Sequence, residues 1–459
     1  MPLAIWWIRR DLRLSDNPAL ATALREGYAP LPLFILDPRL LRNRFTAPMR
    51  LGFLMAGLRA LEADLRARGA YLLVRRGDPG EVLHQVLAES GAERIFAEED
   101  YTPYARERDA RVARALPLQC VLGLTVHHPS NVIKAEGEPY TVFTPFSKAW
   151  KALPLPRPLG EVPARWPTLP RLPGESLPVL PPPALFPAGE AEARRRWRAF
   201  LEDSICDYAR ARNRLDLEGT SRLSPYLRFG MLSVRQVVHE ALEWALEHPT
   251  ARHGVEAFVN EIIWREFYQA ILYHFPHVTR EAFRPQFRHL PWREAPEDLG
   301  AWQAGRTGYP IVDACMRQLQ ATGWMHNRGR MIAASFLVKD LLINWQAGER
   351  WFMQHLVDGD VAANNGGWQW TAGVGTDAAP YFRIFNPVLQ GRKFDPEGRF
   401  IRRWLPELAR VPAAYVHAPW TMPPDLQARL GVQVGQDYPL PIVDHALARA
   451  RALSVYRQG

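Results

Sequence analysis

The chain opens MPLAIWWIRRDLRLSDNPAL (1–20), an apolar run LAIWWI (3–8) followed by a charged turn and the start of a helical pattern. An apolar run placed before Arg9 and Arg10 is the reverse of a signal peptide, and it reads as a buried strand, a turn and a helix. Three more apolar runs follow: PLPLFIL (30–36), AYLLVRRG (70–77) and RIFAEED (94–100). Helical patterns lie between them, for example over 49–68. Strands alternating with helices predict a parallel sheet with helical crossovers. Ligands of such sheets sit at the carboxyl ends of the strands, here near Leu36, Asp37 and Pro38 and over 98–104.

Farther along, the pattern changes twice. Residues 154–187 hold twelve prolines in thirty-four positions, which excludes a helix or an inner strand. A long ordered connector is expected there, with a floppy linker as the alternative. From about Ala191 onward the pattern is helical, with no clear strand run. The expected organisation is a Rossmann-like α/β domain over 1–130, a Pro-rich connector over 131–195, and an all-α domain over 196–459.

The bulk numbers bound the function. A chain of 459 residues is long enough for two substantial cores. Its formal charge of +9 favours a polyanionic partner, nucleic acid before a membrane surface. Cys120, Cys206 and Cys315 are far apart, so neither a disulfide framework nor a zinc site is suggested. No apolar run approaches the ~18 residues of a membrane span. A cytoplasmic protein is expected.

The densest chemistry lies in DGDVAANNGGWQW (358–370), with two carboxylates, three amides and two Trp. Each buried amide or carboxylate needs a hydrogen-bond partner, and polar edges beside aromatic faces suit a flat heterocycle. In GTSRLSPYLRFG (219–230), Thr220, Ser221 and Ser224 with backbone N–H groups could cradle a phosphate beside Arg222, or serve as a plain N-cap. On FVNEIIWREFYQAILYHFP (258–276), helical spacing puts Glu261, Trp264 and Arg265 on one face, either an ion-paired surface or the lip of a pocket. GWMHNRGRM (323–331) does the same for Asn327, Arg330 and Met331. His326 has no second ligand at metal spacing, and the DGD turn has too few oxygens nearby for magnesium; no metal is expected. GVGTDA (373–378) follows no strand and lacks the third glycine of a dinucleotide fingerprint.

These motifs together resemble the photolyase/cryptochrome family, and within it the class I microbial cyclobutane pyrimidine dimer photolyases. The resemblance runs from WIRRDLRLSDNPAL (7–20) through GTSRLSPYLRFG, NEIIWREF (260–267) and TGYPIVDACMRQLQATGWMHNRGRM (307–331) to 358–387. It implies an N-terminal antenna domain and a helical domain that binds FAD and DNA. It also implies light-driven repair of pyrimidine dimers in DNA by electron transfer from reduced FAD, with the target rotated out of the duplex.

The resemblance carries roles to individual positions. FAD would be held by Tyr208, Thr220, Ser221, Arg222, Leu223 and Ser224 on its phosphate side. Glu261, Trp264, Arg265, Asn327, Arg330, Asp358, Asp360 and Asn364 would complete its site, with Arg330 paired to Asp358 and Asn364 at the reactive ring nitrogen. Glu261 would hydrogen-bond the dimer, and Asn327 and Met331 would shape its pocket. Trp264 and Trp370 would cover its apolar side, and Arg212, Arg328 and Arg383 would meet the DNA backbone. Trp368, Trp345 and Trp292 match the family's photoreduction relay, in that order from flavin to surface.

Tyr104 and Ala105 stand where folate-binding members carry an Asn-Glu pair. A non-folate antenna, deazaflavin or FMN, is therefore favoured, near Leu36, Asp37, Arg50 and Tyr101. Three rival readings are a cryptochrome-type blue-light receptor, a photolyase of the (6-4) photoproduct, and a FAD electron-transfer protein that never meets DNA. Asn364 speaks against the first, since plant-type receptors tend to carry Asp there. Asn327 and Met331 speak against the second, since its enzymes place His at and near these positions. The basic balance with Trp264 and Trp370 speaks against the third. A monomer is expected.

Overall fold

The computed structural model describes residues 1–160 and 162–458. Five parallel strands form one sheet: β1 (Leu3–Ile8), β2 (Ala29–Leu36), β3 (Leu73–Arg76), β4 (Arg94–Glu98) and β5 (Leu118–Val121), in the order β3-β2-β1-β4-β5. The first four are the apolar runs of the sequence. The fifth, LQCV, is a short edge strand of four half-buried residues. β2 carries Pro30 and Pro32 yet lies inside the sheet. β3 pairs only with 33–36, so no ladder hydrogen bond is asked of those prolines on that side.

By compactness the chain divides into two units. The first comprises Met1–Ala209, Ser221–Pro276 and Val357–Ala362; the second comprises Arg210–Thr220, His277–Leu356 and Ala363–Gly459.

In the first unit the strand order reverses between β1 and β4, where open α/β sheets usually bind ligands. Here the protein itself fills that place. Arg13, after β1, donates to Glu98 at 2.7 Å and to the carbonyl of Gly230 at 3.1 Å. The amide of Leu12 donates to Phe229 O at 3.0 Å. Gly230 has φ +60°, and a Cβ there would lie 2.0 Å from Arg10 O, so only glycine permits the approach. Phe229 and Gly230 are thereby fastened to the turn that follows β1.

The Pro-rich stretch is fastened too. Trp166 is buried and donates to Pro30 O at 2.8 Å, Tyr71 Oη donates to Pro170 O at 2.7 Å, and Tyr226 Oη to Pro187 O at 2.7 Å. Among its described residues it contains no helix or strand, as its prolines require.

Helix Arg252–His274 is the longest of the first unit. Buried Glu266 sets its register by accepting from Val126 N, His127 N and the Trp150 indole N–H, at 2.5, 3.4 and 2.7 Å.

The described part of the second unit is helical, around one large apolar core that includes Trp302, Phe336, Trp345 and Trp368. Asp313 organises a loop there by accepting from Thr307 N and Oγ1, both at 2.7 Å, and from Gly308 N at 3.1 Å. A π-helical turn, Phe336–Asp340, interrupts this unit's helices. No helix among the described residues is long and apolar enough to cross a membrane.

Candidate functional site

In the first unit, Glu261, Trp264 and Arg265 fall on one strip of helix Arg252–His274, as their spacing requires. Trp264 is half-buried and stacks face to face on Phe143, with centroids 3.8 Å apart and planes at 4°. Phe143 thus fixes the indole plane; nothing in its sequence neighbourhood marks it. Arg265 is held by Leu124 O at 2.9 Å, and burial lowers its pKa.

The loop 357–360 belongs to the same unit and is held from three sides. Arg10 Nη2 donates to Asp360 Oδ2 at 2.5 Å, Gln269 Nε2 to Asp360 Oδ1 at 3.1 Å, and Arg228 Nε to Gly359 O at 2.9 Å. The backbone of Ala362 closes the set by donating to Asp360 Oδ1 at 3.0 Å. Asp358 is buried, and its charge opposes the burial that lowers the pKa of Arg50 to about 10.

Two features of the charge balance fit an anionic ligand. Burial first, and then repulsion from Arg10, push the Arg228 guanidinium down to about 9. Its Nη1 is buried without a hydrogen-bond partner among the described residues.

Tyr208 is buried against Phe200 and Phe258, edge to face at 5.5 and 5.7 Å. In the stretch 221–224, Arg222 adopts φ +51°, a left-handed conformation uncommon for residues other than glycine. Ser221 Oγ accepts from Leu223 N at 3.4 Å. Helix Ser224–Arg228 follows directly.

Among the antenna candidates, Leu36 and Tyr101 are buried. The Tyr101 hydroxyl is engaged by Glu99 at 3.2 Å and Thr125 at 3.4 Å. Asp37 accepts from the Tyr104 hydroxyl and caps Pro38–Leu41, while Arg50 donates to Phe45 O.

In the second unit, Thr220 follows Gly219, where a Cβ would lie 2.5 Å from the Ala211 side chain. Helix Asn327–Ser335 presents Asn327, Arg330 and Met331 one turn apart, with His326 as its cap. Arg330 Nε donates to Met325 O at 2.8 Å. Arg328 is aimed by Asn213 Oδ1, 2.6 Å from its Nη2, and lies over the Phe394 ring. Arg212 is half-buried, whereas Arg383 is exposed and lies near the Phe385 ring.

Helix Val361–Ala372 sorts the amides of 358–370 by face. Asn365 and Gln369, one turn apart, both donate to Val278 O, at 3.0 and 2.9 Å, and Gln369 Oε1 accepts from Phe283 N. They hold the helix in place. Asn364 and Trp368 share a different strip, and Asn364 Nδ2 is tethered to Glu349 O at 3.0 Å.

Trp368 is buried between Phe352 (4.9 Å, 72°) and Trp302 (6.1 Å, 73°). Its indole N–H has no hydrogen-bond partner among the described residues. Trp345 is buried, Trp292 is half-buried and edge-on to Tyr456 at 6.3 Å, and Trp370 is half-buried.

Residues 4–164 match the family described as DNA photolyase, and residues 258–458 match the FAD binding domain of DNA photolyase. A deoxyribodipyrimidine photo-lyase of Escherichia coli is 44% identical over 98% of this chain and 97% of its own length. One from Synechococcus is 40% identical, over 99% and 96%. Among solved structures, a bacterial class III photolyase from Agrobacterium tumefaciens superposes with TM-score 0.94 at 37% identity, covering 100% of this chain and 98% of that one. A Synechocystis cryptochrome gives 0.91 at 30%, covering 99% of each. An archaeal photolyase from Sulfolobus tokodaii, solved with two FAD molecules, gives 0.84 at 31%, covering 99% and 100%.

The chain belongs to the DNA photolyase family and carries its FAD-binding domain.

Proposed function

We propose that this protein is a light-dependent enzyme repairing cyclobutane pyrimidine dimers in DNA. The observation that carries the reading is 40–44% identity over 98–99% of this chain with relatives named deoxyribodipyrimidine photo-lyase. When bound, FAD in its reduced form would supply light-driven one-electron chemistry at the dimer, with no net redox change.

The chain's own residues bind, orient and shield. Tyr208 and 220–224 hold the phosphate side of FAD; Arg222, strained and cationic, is the charged member. Asp358, Asp360 and Arg330 border the flavin with Trp264, Arg265 and Asn327. Asn364, its amide nitrogen anchored by Glu349 O, would face the reactive ring nitrogen, where the amide can accept a hydrogen bond from the protonated form or donate one to the deprotonated form. Glu261 hydrogen-bonds the dimer, with Asn327 and Met331 shaping its pocket. Trp264, kept flat by Phe143, and Trp370 cover the apolar side of the lesion. Arg212, Arg328 and Arg383 take the DNA phosphates. Trp368, Trp345 and Trp292 carry electrons inward when oxidised flavin is re-reduced.

The proposal includes a second, non-folate antenna, a deazaflavin or FMN, near Asp37 and Arg50. The assembly proposed is a cytoplasmic monomer acting on DNA. A blue-light receptor is the second reading, favoured by the likeness to a cryptochrome. Purified protein is expected to be yellow or blue and to release FAD on denaturation. A colourless protein that FAD does not reconstitute contradicts the reading.

A further inference from the structure

Asp360 has most of its acceptor capacity committed within the protein, to Arg10, Gln269 and the backbone of Ala362. A carboxylate offers about four lone-pair sites. Arg10 also faces Asp100, at 3.4 Å. Arg228 is less well compensated: its Nε reaches Gly359 O at 2.9 Å and Asp360 Oδ2 only at 3.7 Å, and its Nη1 is buried without a partner among the described residues. Its side chain is 16% exposed, so water screens it poorly. Arg10 and Arg50 repel it, against the attraction of Asp360 and Asp100, and burial outweighs each of these. A cation so placed costs free energy unless an anion comes near.

We propose that Arg228 is a positioning residue of the flavin site, which holds the loop 358–360 through Gly359 and whose charge favours the anionic, reduced form of the flavin beside that loop. The inference rests on the FAD reading above and adds a residue to it. Asp360 then serves chiefly as the acidic anchor of a clamp formed by Arg10 and Gln269, and Arg228 supplies the positive potential that the clamp leaves over.

The test is a redox titration of the purified, FAD-loaded protein followed by flavin absorbance, comparing wild type with Arg228→Met, Arg228→Gln and Arg228→Lys. At one fixed potential, the neutral variants should lower the ratio of reduced to oxidised flavin about tenfold, the scale of one unit charge acting across a half-buried site. Arg228→Lys should stay near the wild-type ratio, because it keeps the charge. If the neutral variants lose FAD while Arg228→Lys retains it at the wild-type ratio, the charge requirement is also met. An unchanged ratio in FAD-replete Arg228→Met overturns the proposal, and so does an equal shift or equal FAD loss in Met, Gln and Lys variants, which would mean packing rather than charge. A wild-type protein that neither carries nor takes up FAD overturns the flavin reading instead.

Discussion

Arg10 Nη2 lies 2.5 Å from Asp360 Oδ2, an ion pair between residues 350 positions apart. It ties the turn after β1 to the loop that opens DGDVAANNGGWQW. The same loop is held through Arg228 and Gln269. A strand end, a short helix and the long helix Arg252–His274 therefore share the task of fixing two backbone turns. Besides the local bond from Ala362 N, the order imposed on 358–360 comes from elements that lie far from it in the chain.

Lys339 gives a pH signature. It is 1% exposed, donates to Ala372 O at 2.9 Å and lies 3.4 Å from the Tyr456 ring centroid. Burial lowers its pKa from 10.5 to about 7. Between these values the unfolded chain binds a proton that the folded protein does not, so this group makes stability rise with pH from about 7 to 10.5 and stay flat below. Lys339→Met removes the buried cation, and Ala372 O keeps the Tyr456 hydroxyl as donor. The variant should be more stable at pH 7 by about 1–3 kcal/mol, and the difference should shrink toward pH 10. Urea unfolding at several pH values measures it; a constant difference contradicts the assignment.

Gly348 leaves room for Trp368. A Cβ at that position would lie 2.1 Å from Trp368 Cη2 in a filled core. Gly348→Ala should cost about 1–3 kcal/mol and shift the indole, slowing photoreduction. Thermal unfolding and the rate of flavin bleaching under blue light are the readouts.

Sequence and structure overlap unevenly. Strands β1 to β4 are legible because their apolar runs are continuous, and the helical strips of Glu261 and Asn327 are legible because spacing alone sets them. Asn364, Asn365 and Gln369 look alike in the sequence. Only the direction in which helix Val361–Ala372 faces its neighbours makes two of them fasteners and leaves Asn364 on the Trp368 strip. Phe143, Arg10, Gln269 and Arg228 carried no local signal, since each acquires its role from a partner distant in sequence.

The proposed Trp relay predicts that two reactions separate. Trp292→Phe removes the half-exposed end of the relay while leaving Trp368 and Trp345 in place. Photoreduction of oxidised flavin should slow strongly, and repair by chemically pre-reduced protein should stay near the wild-type rate. Equal loss of both contradicts the assignment.

The three phosphate contacts proposed for Arg212, Arg328 and Arg383 predict that log affinity for duplex DNA falls against log salt with a slope of roughly −2.7. Exposed Arg383 is the simplest to remove. Arg383→Ala should reduce the slope by about 0.9, as read by anisotropy of a labelled duplex from low to physiological salt. An unchanged slope removes Arg383 from the DNA contacts.

The most direct measurement uses an oligothymidine carrying cyclobutane dimers, mixed with protein whose flavin has been reduced and followed by chromatography of the intact strand. The account predicts restoration under blue light, none in the dark, and a several-fold lower yield in Glu261→Ala with FAD still bound. No restoration by the wild-type protein in light, or restoration of (6-4) lesions alone, would contradict it.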